Sequence, residues 1–314
     1  MRQSSSSGKL RLNKQKRLLH KILINTDLYL LILPALAILF IFRYLPIYGI
    51  QIAFKDFNIR LGIEASPWVG LKHFKHLFNS PDFFRIFRNT LLFNLYRLIF
   101  QFPIPIIMAL AIYEVKNRTF KRSVQTLSYL PHFLSWVVIG AIFMNLLSTQ
   151  GMVNSVLGLV GRDPVVWLAE ARYFRSMLVI SDAWKNSGWG SIVYLSAIMS
   201  IDTDLFEAAR ADGAGVFRRM WHITLPSIRP TIFFIIMLRL SAMLGSDVEQ
   251  ILVLYSPVVY DVGDVISSYV YRVGLTNMKY SYSSAVGLFS SVIGFILLVS
   301  ANYTSRAFGE RTLW

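Results

Sequence analysis

The chain has 314 residues, 54% of them hydrophobic and 16% charged, with a mean hydropathy of +0.50. A soluble domain is nearer a quarter charged, so composition excludes an ordinary soluble globular protein and points to a polytopic membrane protein. The absence of cysteine excludes disulfide scaffolds, thiolate metal sites and cysteine nucleophiles, and the net charge of +15 forms no basic stripe on a soluble module that would suit nucleic acid.

Residues 1–27 are Ser-rich and then basic, with Arg2, Lys9, Arg11, Lys14, Lys16, Arg17 and Lys21 against a single acid, Asp27. Such a segment is expected to be disordered and to face the anionic cytoplasmic leaflet. A secretory signal is the rival reading of a basic start before an apolar run. The run is long, however, and no small-x-small cleavage site follows it, so residues 28–50 read as a retained first transmembrane helix. About 20 apolar residues are needed to cross a hydrocarbon core of about 30 Å. Six stretches meet that length: 28–50, 90–113, 125–147, 177–199, 228–244 and 281–303. The chain therefore reads as an all-α integral membrane protein with six transmembrane helices and both termini cytoplasmic.

Residues 51–86 form an outer loop, in which 68–78 place apolar residues at helical spacing and predict an interfacial helix. His73 and His76 stand one turn apart beside Lys72 and Lys75. Without a carboxylate or third histidine nearby, a solvated face is favoured over a metal site. Residues 87–304 hold the other five spans. In the second span Asn94, Arg97 and Gln101 fall at spacings of three and four on one face. A charge at mid-bilayer costs about 2.5–3.5 kcal/mol on insertion scales, so such residues face a cavity or a partner, unless Arg97 snorkels to the interface. The short loop with Lys116, Arg118, Lys121 and Arg122 is marked as cytoplasmic by its charge.

The outer loop 148–176 carries turn signals at Gly151, Gly158, Gly161 and Asp163-Pro164. The fourth span is interrupted by Asp182, Lys185 and Asn186. Lys185 and Asn186, between Trp184 and Trp189, make a polar-aromatic cluster that suits a sugar, with residence of Lys185 at the interface as the plainer alternative. A polar segment, 202–227, follows. Asp202 or Thr203 can cap a helix through Leu205, Phe206, Ala208 and Ala209, with Asp204 and Glu207 in its first turn. Gly213 and Gly215 permit a sharp turn, 216–222 predicts a second short helix, and Pro226 is expected to stop it before the next span. On these grounds an ordinary amphipathic loop and a docking element for a soluble partner fit equally well.

The fifth span is short and carries Arg239 deep within it, with Asp247 and Glu249 nearer its outer end. A polar cavity could receive Arg239, or it could pair with a carboxylate of a neighbouring chain. The outer segment 250–280 holds Ser256-Pro257 and Asp261-Val262-Gly263-Asp264. In the sixth span Gly287, Ser290, Ser291 and Gly294 form a stripe suited to close helix packing. Residues 305–314 are a cytoplasmic tail. No nucleophile elbow, zinc-protease pair, dinucleotide fingerprint or P-loop occurs, so the chain is expected to be no enzyme.

Glu207-Ala208-Ala209, three residues, Gly213, nine residues and Ile223-x-Leu225-Pro226 together resemble, at every defined position, the loop signature of binding-protein-dependent ABC importer permeases. Thr149-Gln150-Gly151-Met152-Val153-Asn154, Asp182-Ala183-Trp184-Lys185 and Tyr269-Val270-Tyr271-Arg272 look like the carbohydrate-uptake branch. Tyr44-Leu45-Pro46-Ile47-Tyr48-Gly49 and Ser66-Pro67-Trp68-Val69-Gly70-Leu71 are similar to permeases for complex or acidic oligosaccharides, such as aldouronate or alginate fragments. The resemblance covers nearly the whole chain after residue 25.

It implies a type I ABC importer permease fold in a bacterial cytoplasmic membrane. Segment 202–227 would then dock on a soluble ATPase, with Glu207 pairing a basic group, Ala208 and Ala209 allowing close approach and Gly213 supplying the turn. The implied partners are a second permease, expected to be a different chain, two ATPase subunits, an external solute-binding protein and membrane lipid. No cofactor is expected on this chain, and ATP and Mg would sit on the ATPase subunits. Asn94, Arg97, Gln101, Trp184, Lys185, Asn186, Arg239 and Asp247 become candidates for the substrate path, whose basic character would suit uronates. An ion-coupled carrier for a small solute would also carry buried charges, yet it would leave 202–227 without a role. A membrane-embedded enzyme would need an acid-base or metal set that five scattered histidines do not supply.

Overall fold

The computed structural model describes residues 24–244 and 248–307. The basic segment before residue 24, Asp247 and the tail beyond residue 307 lie outside them. The described chain is helical, and its only extended pairings are two isolated bridges, Lys55 with Trp68 and Asn58 with Gly62.

Two units are distinguished, the first ending at Trp68 and the second beginning at Val69. In the first, α1 (Thr26–Phe54) is long and apolar enough to cross a bilayer. Its large side chains from Leu28 to Ile50 are exposed, the surface a lipid-facing helix presents. The loop after it closes on itself. The Asp56 N–H donates to Pro67 O at 2.9 Å, and the buried Lys55 ammonium donates to Ile63 O at 2.6 Å and lies 4.9 Å from the Trp68 ring.

The second unit runs through α2 (Lys72–Phe78), α3 (Pro81–Glu114), α4 (Arg118–Phe133), α5 (Trp136–Leu146), α6 (Met152–Leu159), α7 (Ala171–Met199), α8 (Thr203–Ala211), α9 (Val216–Leu240), α10 (Val248–Leu254), α11 (Ile266–Tyr271) and α12 (Tyr280–Ala307). In α2, Leu77 is buried against α12 and His76 lies edge-on to Tyr282 at 4.9 Å. Helices α3 and α9 and most of α12 are each apolar and long enough to span. Helix α7 is long but less apolar, because it is the central helix. Phe174, Leu178, Asp182, Lys185, Ser191, Leu195 and Ile198 are all buried against neighbouring helices, so protein rather than lipid receives its polar groups. One apolar cluster joins α3, α7 and α10 through Phe93, Phe174, Leu178 and Ile251. Another joins α3, α7 and α9 near the polar elbow through Ala109, Ile112, Leu195, Ile198 and Ile228.

Two expectations are corrected. The run 125–147 is not one straight span. Helices α4 and α5 meet at 104°, because Pro131 closes a tight turn, Leu134 is extended and Ser135 caps α5 by accepting from Val138 N–H at 3.3 Å. The carbonyls freed by this break are received by Lys185, whose ammonium donates to His132 O at 3.0 Å and to Leu134 O. Pro226, in turn, does not stop the helix after Gly215. α9 runs on through it, because residues Met220–Thr224 widen into a π turn in which Leu225 N–H reaches back to Met220 O. A proline lacks the N–H and crowds the carbonyl four residues back, and a wide turn just before it relieves that crowding. The same pairing recurs at Arg97–Gln101 before Pro103 and at Phe40–Tyr44 before Pro46.

Gly188 of α7 lies against the backbone of α4. A Cβ there would stand 1.9 Å from Ser128 O, whereas one at Gly190 would meet only the Pro105 ring, at 3.3 Å. Gly188→Ala is expected to lower stability by about 1–3 kcal/mol and Gly190→Ala by less. Thermal denaturation of the two detergent-solubilised variants checks the order, and equal midpoints would refute it.

Candidate functional site

The polar elbow between α7 and α9 is built by local rules. Asp202 caps α8, its carboxylate accepting from Asp204 N–H at 3.0 Å. At the other end Ala214 N–H returns to Ala209 O at 2.8 Å and Gly213 N–H to Arg210 O at 3.0 Å. These two bonds define a Schellman stop, with Gly213 at φ +74° in the left-handed position that such a stop requires.

The elbow is fixed to the bundle on one face. Phe206 is buried and its ring lies 5.8 Å from that of Tyr113. The Arg219 guanidinium donates to Ala214 O at 2.8 Å and to the Glu114 carboxylate at 3.5 Å, joining the base of α9 to the end of α3. The opposite face is open: Leu205, Glu207 and Ala208 are exposed, as are Phe217 at 86% and Trp221 at 69%. Exposed aromatics beside a carboxylate are a composition suited to a protein partner. Ala209 is half-buried and Gly213 exposed; Ile223 and Leu225 are half-buried and Pro226 is exposed.

The second candidate set lies within the bundle, and much of it meets. Arg97 pairs with Asp182 at 3.2 Å, the two side chains being 6% and 1% exposed. Arg97 also donates to Gln250 Oε1 at 2.7 Å, while Gln250 Nε2 donates to Leu178 O at 2.6 Å and to Ser181 Oγ at 3.0 Å. The Asn186 amide donates to Asp182, and its oxygen lies 2.9 Å from His132 Nδ1. The His132 ring stacks parallel on Trp189 at 4.8 Å. Asn94 donates to Met243 O at 2.7 Å. Gln101 is buried, and its Oε1 has no hydrogen-bond partner among the described residues. Lys185 serves the α4–α5 break and stands 5.4 Å from the Trp136 ring.

Trp184 and Arg239 differ from these in being exposed on the subunit. Arg239, expected deep within the fifth span, stands instead in the last turn of α9, where it lines an open cavity of ≈ 300 Å³ with Phe102, Pro105 and Tyr194. Asp247 lies outside the described residues. Arg219 was expected to reach an acidic group or a lipid phosphate, and it meets Glu114; Gln250, His132, Glu114 and Phe206 were not foreseen as partners. The spacing of Asp182 and Asn186 is local, whereas His132 with Asn186, Glu114 with Arg219 and Gln250 with Arg97 join residues 54 to 153 positions apart. Among the described residues no three His, Cys, Asp or Glu side chains gather as a metal site.

Residues 101–309 match the family described as binding-protein-dependent transport system inner membrane component. The chain is 44% identical over 288 residues to protein LplB of Bacillus subtilis (strain 168), covering 91% of each chain. It is 40% identical over 302 residues to the polygalacturonan/rhamnogalacturonan transport system permease protein YteP of the same organism, covering 96% of this chain and 94% of that one. It also superimposes with a TM-score of 0.86 and 38% identity on a chain of a bacterial alginate ABC transporter crystallised with an alginate pentasaccharide-bound periplasmic protein, covering 95% of this chain and 100% of the other.

Proposed function

Because the chain belongs to the binding-protein-dependent transport system inner membrane components, we propose that it is the permease subunit of an ATP-driven importer. It forms half of the translocation path for an oligosaccharide delivered by an external solute-binding protein. It pairs with a second permease and with two ATPase subunits, which carry ATP and Mg. Its fold is that of a type I ABC importer permease, and its place is a bacterial cytoplasmic membrane.

The observation that carries this reading is the elbow: Glu207 and Ala208 exposed on a capped helix, with Gly213 ending it and Arg219 clamping its base to Glu114. Such a surface transmits force because it is held on one side and open on the other. Six crossings follow when α1, α3, the bent α4–α5 pair, α7, α9 and α12 each cross once. Four crossings then precede the elbow and two follow it, so both ends share its cytoplasmic side.

The cargo is an acidic, uronate-containing oligosaccharide. Support comes from what the relatives are named for, polygalacturonan and alginate, both polymers of uronates. Within the chain, Arg239 and Trp184 reach the path, while Asn94, Arg97, Gln101, Lys185 and Asn186 keep its wall in shape. An arginine bonded to a carboxylate is worth about 1.5–3 kcal/mol, so Arg239→Ala is expected to cut uronate import about tenfold or more.

The test is import into vesicles holding this permease with its companion subunits and the binding protein outside. Uronate oligosaccharides should enter with ATP hydrolysis, ahead of neutral maltodextrins. Equal import of both, with Arg239→Ala harmless to each, would remove the cargo reading. Import without ATP would remove the importer itself.

A further inference from the structure

An open cavity of ≈ 490 Å³ separates α3 from the start of α7, lined by Tyr96, Phe100, Ala171, Arg172, Arg175, Ser176, Val179 and Ile180. Four of these decide its chemistry. Arg175 is half-buried and fixed: its Nε donates to Val262 O at 3.0 Å and its Nη2 to Asn89 Oδ1 at 2.9 Å. Asn89 is itself held, donating to Asp261 O at 2.9 Å and Asp264 O at 3.2 Å. The Tyr96 ring and hydroxyl line the same cavity, and Arg88 adds a like charge near Arg175. The Arg172 guanidinium lies 5.5 Å from the Tyr173 ring.

Among the described residues no carboxylate pairs with Arg88, Arg172 or Arg175. Glu170, at the cap of α7, makes no ion pair with them. Elsewhere in this unit the partly or fully buried guanidiniums do have acidic partners: Arg97 with Asp182, Arg219 with Glu114 and Arg272 with Asp264. A positioned guanidinium without a counter-ion, beside a second cation, a hydroxyl and two aromatic faces, suits an anion carried on a ring that has an apolar face. Arginine takes carboxylates in a two-pronged fashion, and the aromatic faces receive the apolar side of the ring.

We infer that this cavity is a subsite for the carboxylate of a uronate residue, with Arg172 and Arg175 binding the carboxylate and Tyr96 and Phe100 receiving the sugar face. The inference rests on the importer reading above and places one point of contact on this subunit. Arg175 lies just before the predicted fourth span and Arg88 just before the predicted second, so the subsite sits at the outer mouth of the bundle.

The natural chain contains no cysteine, so Ser176→Cys introduces a single thiol at the cavity rim. The importer carrying Ser176→Cys, assembled with cysteine-free companions in discs of zwitterionic lipid, is labelled with a membrane-impermeant maleimide. A uronate tetrasaccharide is expected to slow labelling at least about fivefold, while its carboxyl-reduced counterpart does not. Adding Arg172→Gln, which removes no contact within the bundle beyond Tyr173, should abolish the protection; Arg175→Lys should weaken it. If the tetrasaccharide gives no protection although the same variant still imports it, the subsite is overturned and the cargo reading stands. A thiol that never labels overturns it too, because the cavity is then covered in the assembly. Protection by anionic phospholipid in place of the sugar assigns the cavity to a headgroup and likewise overturns it. A protein that is protected by the sugar yet imports none keeps the subsite and removes the cargo reading.

Discussion

Gly213→Val is expected to lower ATP-dependent import about 5–30-fold while leaving the subunit inserted and folded. Valine at φ +74° brings its Cβ against the following carbonyl, at a cost of roughly 1–2 kcal/mol, enough to shift a local equilibrium by that factor. The strain is relieved by leaving the left-handed position, which breaks the Ala214-to-Ala209 and Gly213-to-Arg210 bonds and swings α8 off its base. No atom lies within 4 Å of the place a Cβ would take at Gly213, so crowding by neighbours is not the cause. Asparagine tolerates this conformation, and Gly213→Asn should keep most of the activity. Co-purification of the ATPase subunits with each variant, read beside import, separates the two. Full import by Gly213→Val would show that the stop is dispensable.

The second large effect concerns Asp182→Ala. Arg97 would then be left buried without its carboxylate, a loss of about 3–5 kcal/mol in comparable cases. Little folded permease should accumulate, and its thermal midpoint should fall well below that of the parent. Replacing both partners, as in Arg97→Met with Asp182→Leu, removes the uncompensated charge and should recover part of the loss. Recovery is partial because Gln250 Oε1 would lose the donor it takes from Arg97. A single variant as stable as the parent would mean that the pair contributes nothing to the bundle.

How far the sequence could be read depended on whether the signal was local. Helices α1, α3, α9 and α12 were legible because apolarity over some twenty residues is a sum, and a sum survives without knowledge of the fold. The elbow was legible because its cap, acids and glycine act within a few residues of one another. The 104° bend between α4 and α5 was not, since hydropathy carries no direction and Pro131 stands in an apolar run that meets the length rule. The continuity of α9 through Pro226 depended on a wide turn that no residue in Met220–Thr224 announces. Arg97 was marked as expensive in lipid, but its partners are separated from it by 85 and 153 positions along the chain, beyond the reach of any periodicity. Lys185 was suspected of meeting a ligand, and its ammonium meets backbone carbonyls at the bend.

The wide turns have a consequence for anyone engineering this protein. Each adds one residue to a turn, so every side chain beyond it is rotated by about 100°, one residue's step on an ordinary helix. A helical wheel drawn through Met220–Thr224 would therefore aim Ile228 and Arg239 at the wrong quadrant relative to Phe217. Spin labels or cross-linking thiols on the far half of α9 have to be phased from Leu225 onward, and those on α3 from Phe102 onward.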